Sequence, residues 1–264
     1  MESLTAGQYT GDVIHRLSFE DVFITNTLYS DQESNPNWHY HENLHLCFVF
    51  QKGKADTRRA TTYTAKGGSI FFYHAEEEHR WIAPNPISKS TNVEIGRSFL
   101  TQYGINELEI KAAIEQKVDA KALMLRIQKE SLSGEIDRFT NIQALLLELI
   151  TFPMPQRDGG IPRWVIGLKA LLHDNWNQEL SLAEIAQIIQ VHPVTISKHF
   201  RKYFHCTLGT YRRKLKVEHS INFIKHTTKS LSEIAYDCGF ADQSHFTRNF
   251  KALTGFLPNA FRKL

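Results

Sequence analysis

The last hundred residues of the chain repeat one short pattern, and this repeat constrains the fold more than any other feature. The pentapeptide LAEIA at residues 182–186 returns 49 residues later as LSEIA at 231–235, and KHFR at 198–201 returns 50 residues later as RNFK at 248–251. Each copy has the pattern of a short helix with an apolar face, a turn, and a second helix with basic residues outside. The sequence therefore predicts two helix-turn-helix units, an arrangement typical of proteins that read DNA.

Capping residues place the boundaries of the first unit. Ser181 and Glu184 have the spacing of a capping box, which opens a helix over residues 182–190. After a short turn, Pro193 suits the first position of the next helix, which we expect over residues 193–203.

The second unit follows the same plan. We expect its helices over residues 232–238 and 243–253, around a Gly-Phe turn. One long helix over residues 209–225 is expected to join the two units. Its candidate core residues are Tyr211, Leu215, Ile221 and Ile224.

The second helix of each unit supplies the candidate DNA contacts. Side chains near the start of such a helix reach base edges in the major groove, whereas basic residues at helix ends are better placed for phosphates. The candidate base contacts are Val194, Thr195, Ser197, Lys198, Gln243, Ser244, His245 and Arg248. The candidate phosphate contacts are Arg201, Lys202, Arg212 and Lys251. The alternative for any one of them is an ordinary solvent-exposed helix residue.

The second unit carries a resemblance to a known family. LSEIAYDCGFADQSHFTRNFK at residues 231–251, with TGFLPNAFR at 254–262, closely resembles the C-terminal signature of the AraC family of bacterial transcription regulators. This resemblance, over about residues 163–264, implies a seven-helix domain that binds promoter DNA and usually activates transcription together with RNA polymerase.

The first unit departs from that family pattern. Gln190 stands where a turn glycine is usual, and His205 and Leu208 stand where glycine and proline are usual. A residue other than glycine with positive φ costs on the order of 1 kcal/mol. We therefore expect the first reading helix to sit differently or to contribute less specificity than the second.

The balance of charge changes where the region of family resemblance begins, at about residue 163. Residues 1–162 hold 16 Lys and Arg against 21 Asp and Glu, whereas residues 163–264 hold 15 against 7. A basic C-terminal part on an acidic N-terminal body is typical of a nucleic-acid-binding domain attached to a sensing domain.

The N-terminal half has the pattern of short strands followed by helices. Strands separated by such short turns favour an antiparallel barrel or sandwich. We expect strands over residues 44–50, 60–64 and 69–73, and helices over 106–116, 120–130 and 141–151.

The third of these helices has a wide apolar stripe, which must be buried either on its own domain or against a second subunit. We favour dimerisation through Ile142, Leu145, Leu146 and Leu149. Three prolines and two glycines then mark residues 152–162 as a linker between an effector-sensing domain over 1–151 and the DNA-binding domain over 163–264.

Histidines in the strand region form the second informative pattern. The spacing of His39, His41 and His45 before Gly53 resembles the first cupin motif, and Gly68 followed by His79 resembles the second. In metal-binding cupins these positions hold two histidines, a carboxylate and a further histidine. Here His45 replaces the carboxylate, and His74 and Glu76 replace the usual proline and glycine.

Two interpretations of these histidines stay open. Four imidazoles converging inside a barrel could bind Zn, Fe or Ni. We favour the other interpretation, a metal-free pocket without a cofactor, in line with the sugar sensors that such regulators resemble. Its candidate lining residues are His39, His41, His45, His79 and Trp81, and Arg58 or Arg59 could anchor an acidic effector.

Composition restricts the compartment. Cys47, Cys206 and Cys238 show no pairing at metal or redox spacing, the apolar runs are too short to cross a bilayer, and residues 1–4 do not begin a secretory signal. These features favour the reducing cytoplasm and no membrane partner.

The sequence thus predicts an α+β protein with a cupin-like antiparallel β-barrel, dimerisation helices and an all-α tandem helix-turn-helix domain. We expect a cytoplasmic, homodimeric activator that binds promoter DNA under control of a small-molecule effector such as a sugar, and not an enzyme. The rivals are a metal-dependent cupin enzyme or metal sensor using the four histidines, and a ligand-independent regulator whose barrel serves only dimerisation.

Overall fold

The first third of the chain forms strands, and helices follow. The computed structural model describes residues 2–30, 37–50, 54–58, 61–82, 87–151 and 160–264. Its strands are β1 (Glu2–Leu4), β2 (Asp12–Phe19), β3 (Val22–Ser30), β4 (His39–His41), β5 (Leu44–Val49), β6 (Lys54–Arg58), β7 (Thr61–Ala65), β8 (Ser69–Tyr73), β9 (His79–Ile82) and β10 (Ile87–Ile95).

The strands form two sheets of five. One has the order β1-β4-β9-β6-β7 and the other β2-β3-β10-β5-β8. Among the described pairings, β1 runs parallel to β4 and all the others are antiparallel. The expected α+β class is confirmed. No described pairing joins the two sheets, so the described strands form a two-sheet arrangement, the sandwich alternative, and not a closed barrel.

The core of this unit lies between the two sheets. Val49 and Tyr73 from one sheet and Ala65 and Trp81 from the other belong to a single buried cluster. All six residues of β5 are buried, because this strand lies between β10 and β8 and both of its faces are covered.

Helices complete the N-terminal unit. They are α1 (Arg97–Tyr103), α2 (Glu107–Gln116), α3 (Ala120–Ser131) and α4 (Arg138–Ile150). The last three match the predicted helices within a few residues. Helix α1 was not expected, because at seven residues it is too short for a clear apolar period.

The apolar stripe of α4 is buried within its own chain. Leu145 is only 5% exposed, and Ile142, Leu146 and Leu149 are completely buried within the single chain. They lie on a helix that packs against α2 and α3. Side chains with so little exposed surface have almost none left to bury against a second subunit, so this arrangement does not support the dimer contact predicted for Ile142, Leu145, Leu146 and Leu149, which stays a prediction.

The C-terminal part is helical throughout. Its helices are α5 (Arg163–Asp174), α6 (Leu182–Ile189), α7 (Pro193–Phe204), α8 (Leu208–His226), α9 (Leu231–Asp237), α10 (Gln243–Thr254) and α11 (Pro258–Lys263). The predicted capping box of Ser181 and Glu184 is present at the start of α6, and Ser230 and Glu233 repeat it at α9. Seven helices with two helix-turn-helix units agree with the expected domain.

The chain divides into two compact units close to the predicted linker. The first holds Met1–Phe152 with Thr254–Phe256 and Ala260–Leu264, and the second holds Pro153–Leu253 with Leu257–Asn259. Most of the predicted linker, residues 152–159, lies outside the described residues, as do Gly53 and Arg59. In the part of the chain that the structure describes, no helix combines the length and apolar character needed to cross a lipid bilayer.

The two helix-turn-helix units differ in their turns. Gln190 ends α6 with φ 54°, and His205 ends α7 with φ 55°, so both non-glycine residues adopt the left-handed conformation. In the second unit Gly239 holds this conformation with φ 69°. A Cβ at Gly239 would overlap the backbone carbonyl oxygen of Asn177. The turn of the second unit therefore requires glycine, whereas the first tolerates a strained residue.

Substitutions in the two turns test this difference. We expect Gln190→Gly to raise the free energy of unfolding by about 0.5–1 kcal/mol, because glycine adopts positive φ without strain. Gly239→Ala should lower it by more than 1 kcal/mol, because its Cβ meets backbone. Urea denaturation of the full chain followed by far-ultraviolet circular dichroism measures both, and Gln190→Ala, which keeps the Cβ, is the matched control. A gain from Gln190→Ala equal to that from Gln190→Gly would contradict the backbone explanation.

Candidate functional site

The four histidines singled out in the sequence meet in one place. His39, His41 and His79 extend from one sheet and His45 from the other, and each is at most 3% exposed. The ring centres of His39 and His79 are 4.5 Å apart, and those of His41 and His45 are 4.3 Å apart. Strand pairing causes this convergence, since His39 lies opposite His79 in the register of β4 and β9.

Burial keeps these imidazoles uncharged. Removal from water, followed by the neighbouring His79 and His39, lowers the pKa of His41 to about 2. Burial and His39 lower the pKa of His79 to about 3, and burial also lowers the pKa of His45 well below its usual range. At neutral pH each of these three rings therefore has one nitrogen that carries no proton.

Two of the rings are oriented by backbone carbonyls. His79 Nδ1 lies 2.8 Å from the carbonyl oxygen of Glu77, and His39 Nδ1 lies 3.2 Å from that of Asn37. Since a carbonyl only accepts hydrogen bonds, Nδ1 of each ring is the donor, and Nε2 then carries the lone pair. His79 Nε2 and His41 Nδ1 are buried without a hydrogen-bond partner in the described part of the chain.

Aromatic and acidic groups surround the cluster. The Tyr73 ring stacks on His45 with centres 4.4 Å apart, and the Tyr9 ring lies 4.8 Å from His41. Glu94, opposite His45 in the register of β10 and β5, is fully buried, and burial raises its pKa. Its two oxygens accept hydrogen bonds from the backbone of Gly7 at 2.7 Å and from the Asn43 side chain at 2.9 Å.

The structure places two other pocket candidates elsewhere. Trp81 packs in the buried apolar cluster with Val49 and Tyr73 and is 7% exposed, so it is a core residue with no open face for a sugar. Arg58 pairs with Asp56 at 2.6 Å, and its guanidinium lies over Tyr73 at 4.1 Å from the ring centre. Because the Arg58 guanidinium is already paired with Asp56, Arg58 is a poor anchor for an acidic effector.

The reading helix of the first unit presents the predicted polar face. Ile196 and Phe200 bury one side of α7, which is an amphipathic helix. Val194 is 63% exposed, Ser197 and Lys198 are also exposed, and Thr195 is half-buried. The His192 side chain caps this helix by accepting a hydrogen bond from the backbone of Val194 at 3.3 Å.

The reading helix of the second unit has the same construction. Phe246 and Phe250 are completely buried, whereas Gln243, Ser244 and Arg248 are exposed. His245 is half-buried, and its ring meets Phe240 edge-on at 5.6 Å. Gln243 is held at its carbonyl oxygen, which accepts a hydrogen bond from the Ser232 hydroxyl at 2.6 Å.

Three of the four phosphate candidates lie at the surface. Arg201, Lys202 and Lys251 are exposed near the ends of α7 and α10, in agreement with the requirement for phosphate contact. Arg212 is placed differently, because its guanidinium is half-buried and donates a hydrogen bond to the backbone carbonyl of Leu180. Its arrangement thus favours a structural role beside the start of α6.

The connecting helix α8 makes hydrogen bonds to both helix-turn-helix units. Lys216 is only 7% exposed, and its amine donates a hydrogen bond to the carbonyl of Gly239 in the turn of the second unit. The same amine lies 3.5 Å from the Glu179 carboxylate, just before the first unit. One turn earlier on α8, Arg212 binds Leu180. Two basic side chains of one helix therefore hold the start of one unit and the turn of the other.

Known proteins are similar to this chain in sequence. Residues 185–264 match a family model described as a helix-turn-helix domain. The HTH-type transcriptional activator RhaS of Enterobacter sp. (strain 638) is 27% identical over 245 residues, which cover 85% of this chain and 87% of RhaS. The HTH-type transcriptional regulator GbdR of Pseudomonas aeruginosa is 30% identical over 94 residues, which cover 36% of this chain and 26% of GbdR.

The C-terminal part of the chain is thus an AraC-type helix-turn-helix domain. Among solved structures, ToxT from Vibrio cholerae is 14% identical with a TM-score of 0.38, and the match covers 91% of this chain and 98% of ToxT.

Within this AraC-type chain, sequence reasoning missed several residues around the sites. Tyr9 and Glu94 reach the histidines from distant segments, and no local motif marks them. Tyr73 could have been found, since it lies opposite His45 in the register of β5 and β8. Lys216 carried no signal, because a lysine on a long polar helix is usually exposed.

The buried lysine of the AraC-type domain can be tested by its removal. We expect Lys216→Met to lower the free energy of unfolding by about 1.5–3 kcal/mol, because the partly buried Gly239 carbonyl loses a charge-assisted hydrogen bond. Lys251→Met, at an exposed position, should change it by less than about 0.5 kcal/mol. Chemical denaturation of the full chain compares the two, and equal small effects would argue against the bridging role.

Proposed function

We propose that this AraC-family protein is a sequence-specific DNA-binding transcription regulator, an activator, controlled by a small-molecule effector in its N-terminal unit. One observation carries the proposal. Each helix-turn-helix unit exposes the polar face of its second helix, α7 or α10, and buries the opposite apolar face of that helix. The single helix α8 joins the two helix-turn-helix units. The activator RhaS, which matches 85% of this chain, supports the direction of regulation.

The geometry of α8 fits two adjacent binding positions on one face of the DNA. At 1.5 Å per residue, the 19 residues of α8 span roughly 28 Å. Successive major grooves on one DNA face lie about 34 Å apart. A connecting helix of this length can therefore set the two reading helices in neighbouring grooves.

The contacts divide into two classes on this proposal. Gln243, Ser244, His245 and Arg248 read bases in the second unit, and Val194, Thr195, Ser197 and Lys198 do so in the first. Arg201, Lys202 and Lys251 bind phosphates, and Arg212 contributes less, since it binds the Leu180 carbonyl. The left-handed Gln190 makes the first unit the weaker of the two readers.

The remaining features of the proposal rest on the family resemblance. We propose a cytoplasmic homodimer that binds promoter DNA, works with RNA polymerase and performs no catalysis. Because the stripe of α4 is buried in the protomer, we propose that the dimer uses another surface. We keep a sugar as one class of effector, although the contacting imidazole rings leave no space for a sugar ring among them. Native mass spectrometry of the full chain measures whether it is a monomer or a dimer.

Arg248 and Lys251 separate base reading from phosphate binding. After a preferred DNA site is selected from a random pool with the full chain, Arg248→Ala should reduce the preference for that site by about 10-fold or more, because a good bidentate base contact contributes roughly 1–3 kcal/mol. Lys251→Ala should instead weaken binding to all DNA and reduce the slope of log affinity against log salt by about 0.9.

Fluorescence anisotropy at several salt concentrations measures both effects. Lys111→Ala, an exposed lysine of the N-terminal unit, is the control and should leave preference and slope unchanged. If Arg248→Ala retains the full preference for the selected site, α10 does not read bases through this residue.

A further inference from the structure

The buried histidines raise a physical difficulty that the DNA-binding function does not resolve. Burying a polar group without a hydrogen bond costs roughly 1–3 kcal/mol, and the great majority of buried polar atoms are therefore satisfied. His41 Nδ1, His45 Nδ1 and His79 Nε2 are all buried without a hydrogen-bond partner among the described residues. The unsatisfied nitrogens of His41 and His79, which lie in one cluster, indicate a ligand that accepts lone pairs.

Three of the histidines have the geometry to share one ion. His39, His41 and His79 each offer a ring nitrogen, and these three atoms all lie within 4.8 Å of one another. Zinc–nitrogen bonds of about 2.0–2.1 Å place two ligand nitrogens about 3.4 Å apart in a tetrahedral site. Each pair therefore needs to close by at most about 1.4 Å, which small side-chain rotations supply.

We infer that the N-terminal unit binds one divalent first-row transition metal ion, of the zinc type, through His39, His41 and His79. Imidazole nitrogens suit Zn, Fe, Ni and Cu, whereas Mg and Ca prefer oxygen ligands. The carbonyls of Asn37 and Glu77 orient His39 and His79 through Nδ1, as outer partners of metal-bound histidines commonly do. Three protein ligands leave at least one coordination position for water or an oxygen atom of an effector.

The fourth histidine is excluded from the ligand set. The three nitrogens that lie within 4.8 Å of one another belong to His39, His41 and His79, and His45 contributes none to this group. The His45 ring is instead stacked on Tyr73. Glu94, the buried carboxylate opposite His45, has both oxygens engaged by Gly7 and Asn43. Among the residues that the structure describes, the site thus consists of three histidines with no carboxylate.

Metal content is the first test. The full chain, produced without a histidine tag and purified without chelator, should contain close to one metal ion per chain by inductively coupled plasma mass spectrometry. After removal of the metal, Zn²⁺ should restore this stoichiometry and raise the melting temperature, and Co²⁺ should give the visible absorption of a low-coordinate nitrogen site. A chain that stays metal-free and binds neither ion while folded would overturn the inference.

Variants identify the ligands. We expect His39→Gln and His79→Gln each to lower the affinity for Zn²⁺ by at least 10-fold, with circular dichroism confirming that the fold is retained. His74→Gln is the matched control, since this half-buried histidine of the same unit pairs with Glu107 outside the cluster, and it should keep wild-type affinity. His45→Gln should also bind normally, and loss of binding there would overturn the three-ligand assignment.

A second measurement covers the case in which a buried variant unfolds. Isothermal titration of the metal-free wild-type chain with Zn²⁺ then decides the inference without any substitution. One site per chain supports it, and the absence of heat at micromolar protein contradicts it. Neither result depends on DNA binding, so a failure here leaves the proposed regulatory function standing.

Discussion

The relative placement of the two reading helices, α7 and α10, depends on α8 and on the hydrogen bonds made by two of its basic side chains. Lys216 reaches the Gly239 carbonyl in one unit, and Arg212 reaches the Leu180 carbonyl at the start of the other. These bonds are charge-assisted and partly buried, and their loss leaves a carbonyl without that partner. They hold α8 to both helix-turn-helix units and so set how α7 and α10 are placed relative to each other.

The turns show how unevenly the two units are constrained. In the second unit, close approach of Asn177 and Lys216 to Gly239 leaves no space for a side chain. In the first unit, Gln190 takes the same left-handed conformation at an exposed position and bears its strain alone. We therefore attribute the more exact positioning to the second reading helix, which follows the better supported turn.

The core of the N-terminal unit contains polar side chains. Its two sheets enclose an apolar cluster around Val49 and Trp81, but beside it lie four imidazoles. A core that accepts so many polar rings is less stable than an apolar one unless a ligand satisfies them. The histidines therefore couple the folding of this unit to any ligand that they bind, and the inferred three-histidine metal site would satisfy the unpaired nitrogens of His41 and His79.

The sequence by itself determined the elements that local rules control. Capping residues such as Ser181 placed helix starts, the period of buried Phe246 and Phe250 identified the second reading helix, and histidine spacing marked the cluster. Only the tertiary structure decided which partner each side chain meets, because such contacts join distant segments. It buried the α4 stripe inside the protomer, turned Arg212 towards Leu180, and brought Glu94 and Tyr9 beside the histidines. Spacing along the chain specifies which face of an element a residue lies on, whereas packing specifies what lies against that face.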